Sequence, residues 1–211
     1  MMTVIGSLKG GSGKSTVTFN MAVWLSLAGR QVLALDADPQ ATLTDVCEVR
    51  REEGFEPLIA PGSLDLLDDR DALDRHEDVL VDIGTASMDH MRQALSLCDR
   101  VVIPVPPSQA DIWSTQRFIR YVQSVRGEAL PEMLAFINRA DTNRAIRESD
   151  EAAAALVSLP VVRYLKPRLS QRTVFRRSFS EGLAVFEMEP RGKGAREWNA
   201  LTAQLFPSVL G

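Results

Sequence analysis

Val4-Ile5-Gly6-Ser7-Leu8-Lys9-Gly10-Gly11-Ser12-Gly13-Lys14-Ser15-Thr16 decides the fold of this chain. A short apolar run enters a glycine-rich bend, and a lysine with two hydroxyl residues leaves it. Glycines let the backbone curl until successive amide N–H groups point inward, and a helix starting near Lys14 adds the positive end of its dipole. Such a loop suits a polyphosphate. Lys14 would place an ammonium between the outer phosphates and the Ser15 hydroxyl stands where Mg²⁺ needs an oxygen ligand, so the expected nucleotide is a triphosphate. Gly10, Gly11, Ser12, Gly13 and Thr16 complete the expected nucleotide-binding set. The match is to a variant, because the strict spacing G-x-x-x-x-G-K-[ST] asks for glycine where Leu8 stands. Lys9, just ahead of the glycines, is either solvated like most lysines or reaches an anion held by a second subunit.

Outward from the loop, strand-like and helical runs alternate. Met2 to Ile5 reads as a strand; Val17, Met21, Trp24, Leu25 and Ala28 recur at helical spacing, and Gly29 is placed to end that helix. Further strands are expected over 32–35, 79–81, 100–105 and 133–137, with helices over 88–97, 109–125 and 144–157. This alternation predicts an α/β fold, a three-layer P-loop arrangement with a mostly parallel twisted sheet flanked by helices, in one domain over residues 1–211. Open sheets of this kind bind ligands at the carboxyl ends of their strands. Asp36 and Asp38 follow one such strand and Asp82 another. Asp82 either accepts hydrogen bonds from Mg²⁺-bound water or caps the next turn. Asn138 and Arg139 close the strand ending at Ile137, where an amide either reads a base or shapes a turn. Pro104, Pro106, Pro107 and Ser108 are expected to form a stiff loop.

The block from Lys9 to Thr16, followed by Asp36-Ala37-Asp38-Pro39-Gln40 and by Val79-Leu80-Val81-Asp82, resembles the deviant Walker (SIMIBI-type) ATPases of the ParA and MinD group. The Asp-x-Asp-Pro-Gln version is similar to the ParA side, in its small form without an N-terminal helix-turn-helix. That resemblance implies an ATPase that uses Mg²⁺ and ATP, with Lys9, Lys14, Asp36, Asp38 and Asp82 as its catalytic residues. Asp36 and Asp82 would serve the metal with Ser15, Asp38 would sit near the attacking water, and Asn138, with Arg139 beside it, would meet the base. It further implies an ATP-bridged homodimer in which Lys9 crosses to the partner's phosphates, non-specific DNA binding, an adaptor of the ParB or ParG kind, and partition or positioning of a cargo on the nucleoid.

The charge distribution bears on the DNA partner. The chain holds 24 basic and 28 acidic residues, a net charge of −4. Between residues 163 and 196 stand nine basic side chains against three acidic, a local +6 that leaves −10 elsewhere. Arg163, Lys166, Arg168, Arg172, Arg176 and Arg177 are the expected DNA contacts, the alternative being a solvated basic face. Arg176 and Arg177 are adjacent, so one helix face cannot present both.

Other classes find less support. No run of eighteen apolar residues exists and no charged-then-apolar leader opens the chain, so a cytoplasmic protein is expected. Cys47 and Cys98 are far apart and read as buried apolar residues, and the two histidines suggest no hydrolase triad. A membrane-associated relative of the MinD branch would carry a basic amphipathic tail. Here Trp198, Leu201 and Leu205 have helical spacing, but Pro207 interrupts them and core packing is expected. A P-loop ligase or kinase acting on a metabolite, and a filament-forming scaffold, stand as alternatives.

Overall fold

The computed structural model describes residues 1–143 and 147–209. Its strands are β1 (Met2–Ile5), β2 (Val32–Asp36), β3 (Asp78–Asp82), β4 (Arg100–Val105), β5 (Glu132–Ala140), β6 (Arg163–Tyr164) and β7 (Leu169–Ser170). They form one sheet in the order β2-β3-β1-β4-β5-β6, with β7 also on β5. Every pairing is parallel. Parallel strands need crossovers, and the crossovers here are helices that cover both faces.

Alternation along the strands sorts their side chains between two cores. Val4, Val81, Val101, Ile103, Ala135 and Ile137 point to one face, packed under α4 (Met88–Leu97), α5 (Gln109–Arg126) and α6 (Glu148–Val157). Ala34, Leu80, Val102, Leu134 and Phe136 point to the other, under α1 (Lys14–Leu27), α2 (Thr42–Glu52) and α9 (Lys193–Leu205). Short helices α3 (Arg70–Asp74), α7 (Thr173–Ser180) and α8 (Val185–Met188) complete the set. Both faces are therefore largely apolar, as a sheet buried on two sides requires, with Thr3 and Arg100 as a buried, mutually bonded polar pair.

The expected three-layer α/β architecture is found, and α4 has the expected bounds. The helix read over 144–157 starts outside the described residues; its described part is α6. Pro104 belongs to β4 rather than to a loop. It is tolerated because β1 ends at Ile5, whose partner is Val102, so residue 104 has a ladder neighbour only on β5. Helix α2 follows directly on the Asp36–Gln40 block. Its Leu43, Val46, Cys47 and Arg50 are buried. Trp198, Leu201 and Leu205 are core residues of α9, and Pro207 follows its end.

Candidate functional site

The loop between β1 and α1 closes on itself before any ligand is considered. Ser7 Oγ donates to the Lys9 carbonyl at 2.9 Å and shares a hydrogen bond with Ser12 Oγ, also 2.9 Å. Gly11 and Gly13 have φ of +75° and +89°, a region that favours glycine. At Gly13 there is a second constraint: a Cβ would lie 2.5 Å from Asn138 Nδ2. That same nitrogen donates to the Ser12 carbonyl at 2.7 Å, and Arg139 Nη1 donates to the Gly11 carbonyl at 2.6 Å. The end of β5 thus clamps two carbonyls of the loop and fixes its backbone, leaving amide N–H groups as the loop's donors for an anion.

No side chain caps α1. Its first-turn N–H groups remain available for an anion. Lys14 is 7% exposed, with Nζ 3.4 Å from Ser7 Oγ. Burial lowers its pKa, while the carboxylates of Asp82 and Asp38 oppose the shift.

Those carboxylates come from two adjacent strand ends. Asp36 and Asp82 are register partners, and Asp82 pairs on its other side with Ile5 at the entrance of the loop. Asp82 is fully buried, and neither carboxylate oxygen has a hydrogen bond of good geometry among the described residues, although the Ser15 hydroxyl lies near enough to favour its charged form. Burial pushes its pKa up to about 7; Ser15 and Lys14 pull it down and Asp36 and Asp38 push it further. Asp38 lies against Gly84, where a Cβ would come 2.6 Å from its Cγ, so the segments after β2 and β3 touch.

The arrangement fits Mg²⁺. Among the described residues no three His, Cys, Asp or Glu converge into a protein-only cage. Mg²⁺ characteristically keeps several waters and takes the rest of its ligands from one or two protein oxygens and phosphate. A buried carboxylate without a well-formed hydrogen bond, beside the hydroxyl of Ser15, is the acceptor such a hydrated ion needs. Both cysteines are buried, which raises their pKa to about 12 for Cys47 and about 11 for Cys98 and leaves them inert.

Two clefts adjoin the loop. One, of about 410 Å³, is bounded by Gly13, Thr16, Asn138, Arg172, Phe175 and Trp198. Its size and apolar walls suit a base and ribose. The other, about 540 Å³, opens beside Lys9, Gly10, Pro107, Asp111 and Arg139. Lys9 is not free there: its Nζ forms an ion pair with Asp111 Oδ1 at 2.8 Å. Sequence reasoning missed Asp111, although Ser108 and Asp111 stand at capping-box spacing and do bond each other at the start of α5. It also missed Thr44, which carries no local signal for its bonds to Asp36.

The six cations expected to meet DNA lie in different settings. Arg163, Arg168, Arg172 and Arg177 are paired with Glu132, Asp150, Glu197 and Glu181 respectively. The Arg172 pair is the tightest, with Nε and Nη2 both on Glu197 Oε1. Lys166 and Arg176 are exposed with no carboxylate partner among the described residues. Arg176 stands on the wall of the base-sized cleft.

Known proteins share this fold. The chain is 29% identical over 211 residues to the maintenance of carboxysome distribution protein A of Halothiobacillus neapolitanus, covering 97% of this chain and 95% of that protein. Its fold superposes on an ATP complex of Cyanothece McdA with a TM-score of 0.77 at 19% identity, over 97% of this chain and 95% of that one. The septum site-determining protein MinD of Pyrococcus horikoshii, complexed with Mg-ADP, gives 0.76 at 19% identity, over 100% and 97%. A clamped phosphate loop, a buried lysine and carboxylates at two adjacent strand ends are what a nucleotide-binding ATPase core requires. The CobQ/CobB/MinD/ParA nucleotide binding domain matches residues 3–185, and the chain belongs to that family.

Proposed function

We propose that this chain hydrolyses Mg·ATP, pairs with a second copy when ATP is bound, holds DNA without sequence preference in that state, and positions a cargo through an adaptor protein. The observation that carries the reading is the placement of buried Lys14 beside buried Asp82, under a loop whose carbonyls are held by Asn138 and Arg139. Backbone N–H groups of residues 10–16 and the Lys14 ammonium hold the phosphates. Ser15 would hold the metal directly, and Asp36 and Asp82 would accept hydrogen bonds from its waters. The chemistry that Mg²⁺ would supply there is neutralisation of charge on the phosphate oxygens. Asp38 orients the attacking water. Lys9 supplies a cation to the phosphates of the facing copy, so that dimerisation becomes a condition for efficient turnover; cations given in trans are worth roughly 10³-fold or more in rate.

The DNA reading is supported by the segregation of nine basic side chains into residues 163–196. Of these nine, Lys166, Arg176, Arg191, Lys193 and Arg196 are exposed with no carboxylate partner among the described residues, and a dimer doubles the patch. No helix among the described residues is long and apolar enough to cross a membrane, and the apolar face of α9 is spent on the core. Resemblance to a protein named for carboxysome distribution, over nearly the whole chain, favours a protein body as the cargo.

Fluorescence anisotropy of a labelled duplex tests the proposal. Binding should appear with ATP and not with ADP, ignore sequence, and weaken steeply with salt, log K falling linearly with log[salt]. Equal binding without nucleotide, or a strongly preferred sequence, overturns it.

A further inference from the structure

We infer that Thr44 is a positioning residue for the metal side of the nucleotide site, acting through Asp36; the role rests on the Mg·ATP reading above. Asp36 ends β2, beside Asp82 on β3. Its carboxylate is held by three donors. Thr44 N donates to Oδ2 at 2.9 Å, Thr44 Oγ1 donates to the same oxygen at 2.8 Å, and Asp38 N donates to Oδ1 at 3.1 Å. With both oxygens engaged, the carboxylate cannot rotate without breaking a bond. The Asp36 carboxylate is therefore set in one orientation before metal or nucleotide arrives.

Helix α2 makes the hold possible. Thr44 is its third residue, so its N–H belongs to the first turn, where no intrahelical acceptor exists. The N-cap residue Ala41 provides no side-chain acceptor. Asp36 supplies the missing cap from outside the helix, with its negative charge at the positive end of the helix dipole. The chain reaches this position through a costly turn: Ala41 has φ of +51°, in the left-handed region that non-glycine residues seldom occupy. Between the two anchors Asp38 folds back on its own segment, its carbonyl accepting from Ala41 N at 2.8 Å and its Oδ1 from Gln40 N at 3.0 Å. Thr44 consequently does more than cap: it closes the ring that contains both Asp36 and Asp38.

A purely structural cap and a positioning role predict different measurements. Binding of a non-hydrolysable ATP analogue to the full chain is titrated with Mg²⁺ and repeated in EDTA. Thr44→Val keeps the shape and the backbone N–H but removes the hydroxyl. It should raise the Mg²⁺ concentration for half-maximal tight binding about tenfold, the low end of the 10–100-fold typical when a group behind a metal ligand is lost. Affinity in EDTA should stay within about twofold, and Thr44→Ser should restore the wild-type titration to within about threefold. Thr44→Ala gives the same comparison with no added methyl if the valine variant does not fold. A Thr44→Val chain that titrates like wild type, or a loss that Thr44→Ser shares in full, overturns the role. A wild-type chain whose affinity ignores Mg²⁺ overturns the reading of the site itself, and this role with it.

Discussion

Lys9 and Asp111 form an ion pair of 2.8 Å within a single chain, with the lysine half exposed and the aspartate buried. The other Asp111 oxygen is bonded to the Ser108 hydroxyl, so the carboxylate is fixed to the start of α5 and the lysine is the movable partner. A lysine that must reach a second copy has to leave this carboxylate first. Asp111→Asn should therefore favour the ATP-bound dimer, by roughly two- to fivefold, the equivalent of the ~0.5–1 kcal/mol carried by a pair with one exposed member. Lys9→Ala should abolish ATP-dependent dimers while sparing nucleotide affinity. Sedimentation velocity with and without ATP reads both variants; a normal dimer in Lys9→Ala removes the crossing.

Asp82 sets a pH dependence. An aspartyl group in an unfolded chain has a pKa near 3.9, and burial lifts Asp82 to about 7. Between those values the folded state binds the extra proton, so this group's contribution falls as pH rises and is lost above about 7. Without nucleotide, Asp82→Asn should flatten that slope and raise stability at pH 8 by on the order of 1–3 kcal/mol, the cost of a buried group without good hydrogen bonds. Thermal melts from pH 5 to 8 measure it. The same variant should lose the Mg²⁺ response, and wild-type Mg²⁺ binding at pH 6 should release a proton. An unchanged melting profile refutes the assignment.

Gly84 permits the contact with Asp38. Gly84→Ala brings a Cβ within 2.6–2.8 Å of Asp38 Cγ, Oδ1 and Cα, and one of those distances involves backbone. Nucleotide affinity should stay within about threefold, since the loop and Lys14 are untouched, while the hydrolysis rate falls about tenfold or more through misplacement of Asp38. Single-turnover hydrolysis set against analogue binding separates the two.

Legibility followed the range of the forces involved. The loop, β1 and α4 are specified by neighbours in sequence, and all three could be read directly. Arg50 defeats such reading. A charged residue interrupts the apolar stripe of α2, yet it is fully buried because Glu187, 137 residues away, receives it bidentately and the carbonyls of Glu56, Pro57 and Gly182 accept from it. Strands β6 and β7 have two residues each, too few for any period to show. In the site, Lys14 and Asp82 follow from motif spacing. Asn138 was legible as a site residue but not as a clamp on the Ser12 carbonyl, because that bond exists only once β5 lies beside the loop.

The Arg50 pair offers a test of packing. Glu187→Leu strands a buried guanidinium, and loss of one partner of such a pair costs about 3–5 kcal/mol. Urea denaturation should show a lower midpoint with an unchanged slope. A loss below 1 kcal/mol would mean that the carbonyls alone satisfy Arg50.

On the basic segment, Lys166→Ala with Arg176→Ala should reduce the salt slope of DNA binding by up to about 2, because each lost phosphate contact removes roughly 0.9 from it. Arg172→Ala should instead destabilise the fold, having lost Glu197. Anisotropy at a series of salt concentrations, paired with melting curves, tells these effects apart. An unaltered slope in the double variant would move the DNA surface elsewhere.

Strand β5 carries a double duty. Its last residues grip the Ser12 and Gly11 carbonyls, and its flank is laddered to β6 and β7, the two strands from which the cationic stretch departs. Phosphate loop and basic segment thus meet at one strand end, where Arg172 and Arg176 share the wall of a cleft with Gly13 and Asn138. Any displacement of the end of β5 therefore moves the Gly11 and Ser12 carbonyls and the Leu169–Ser170 ladder together.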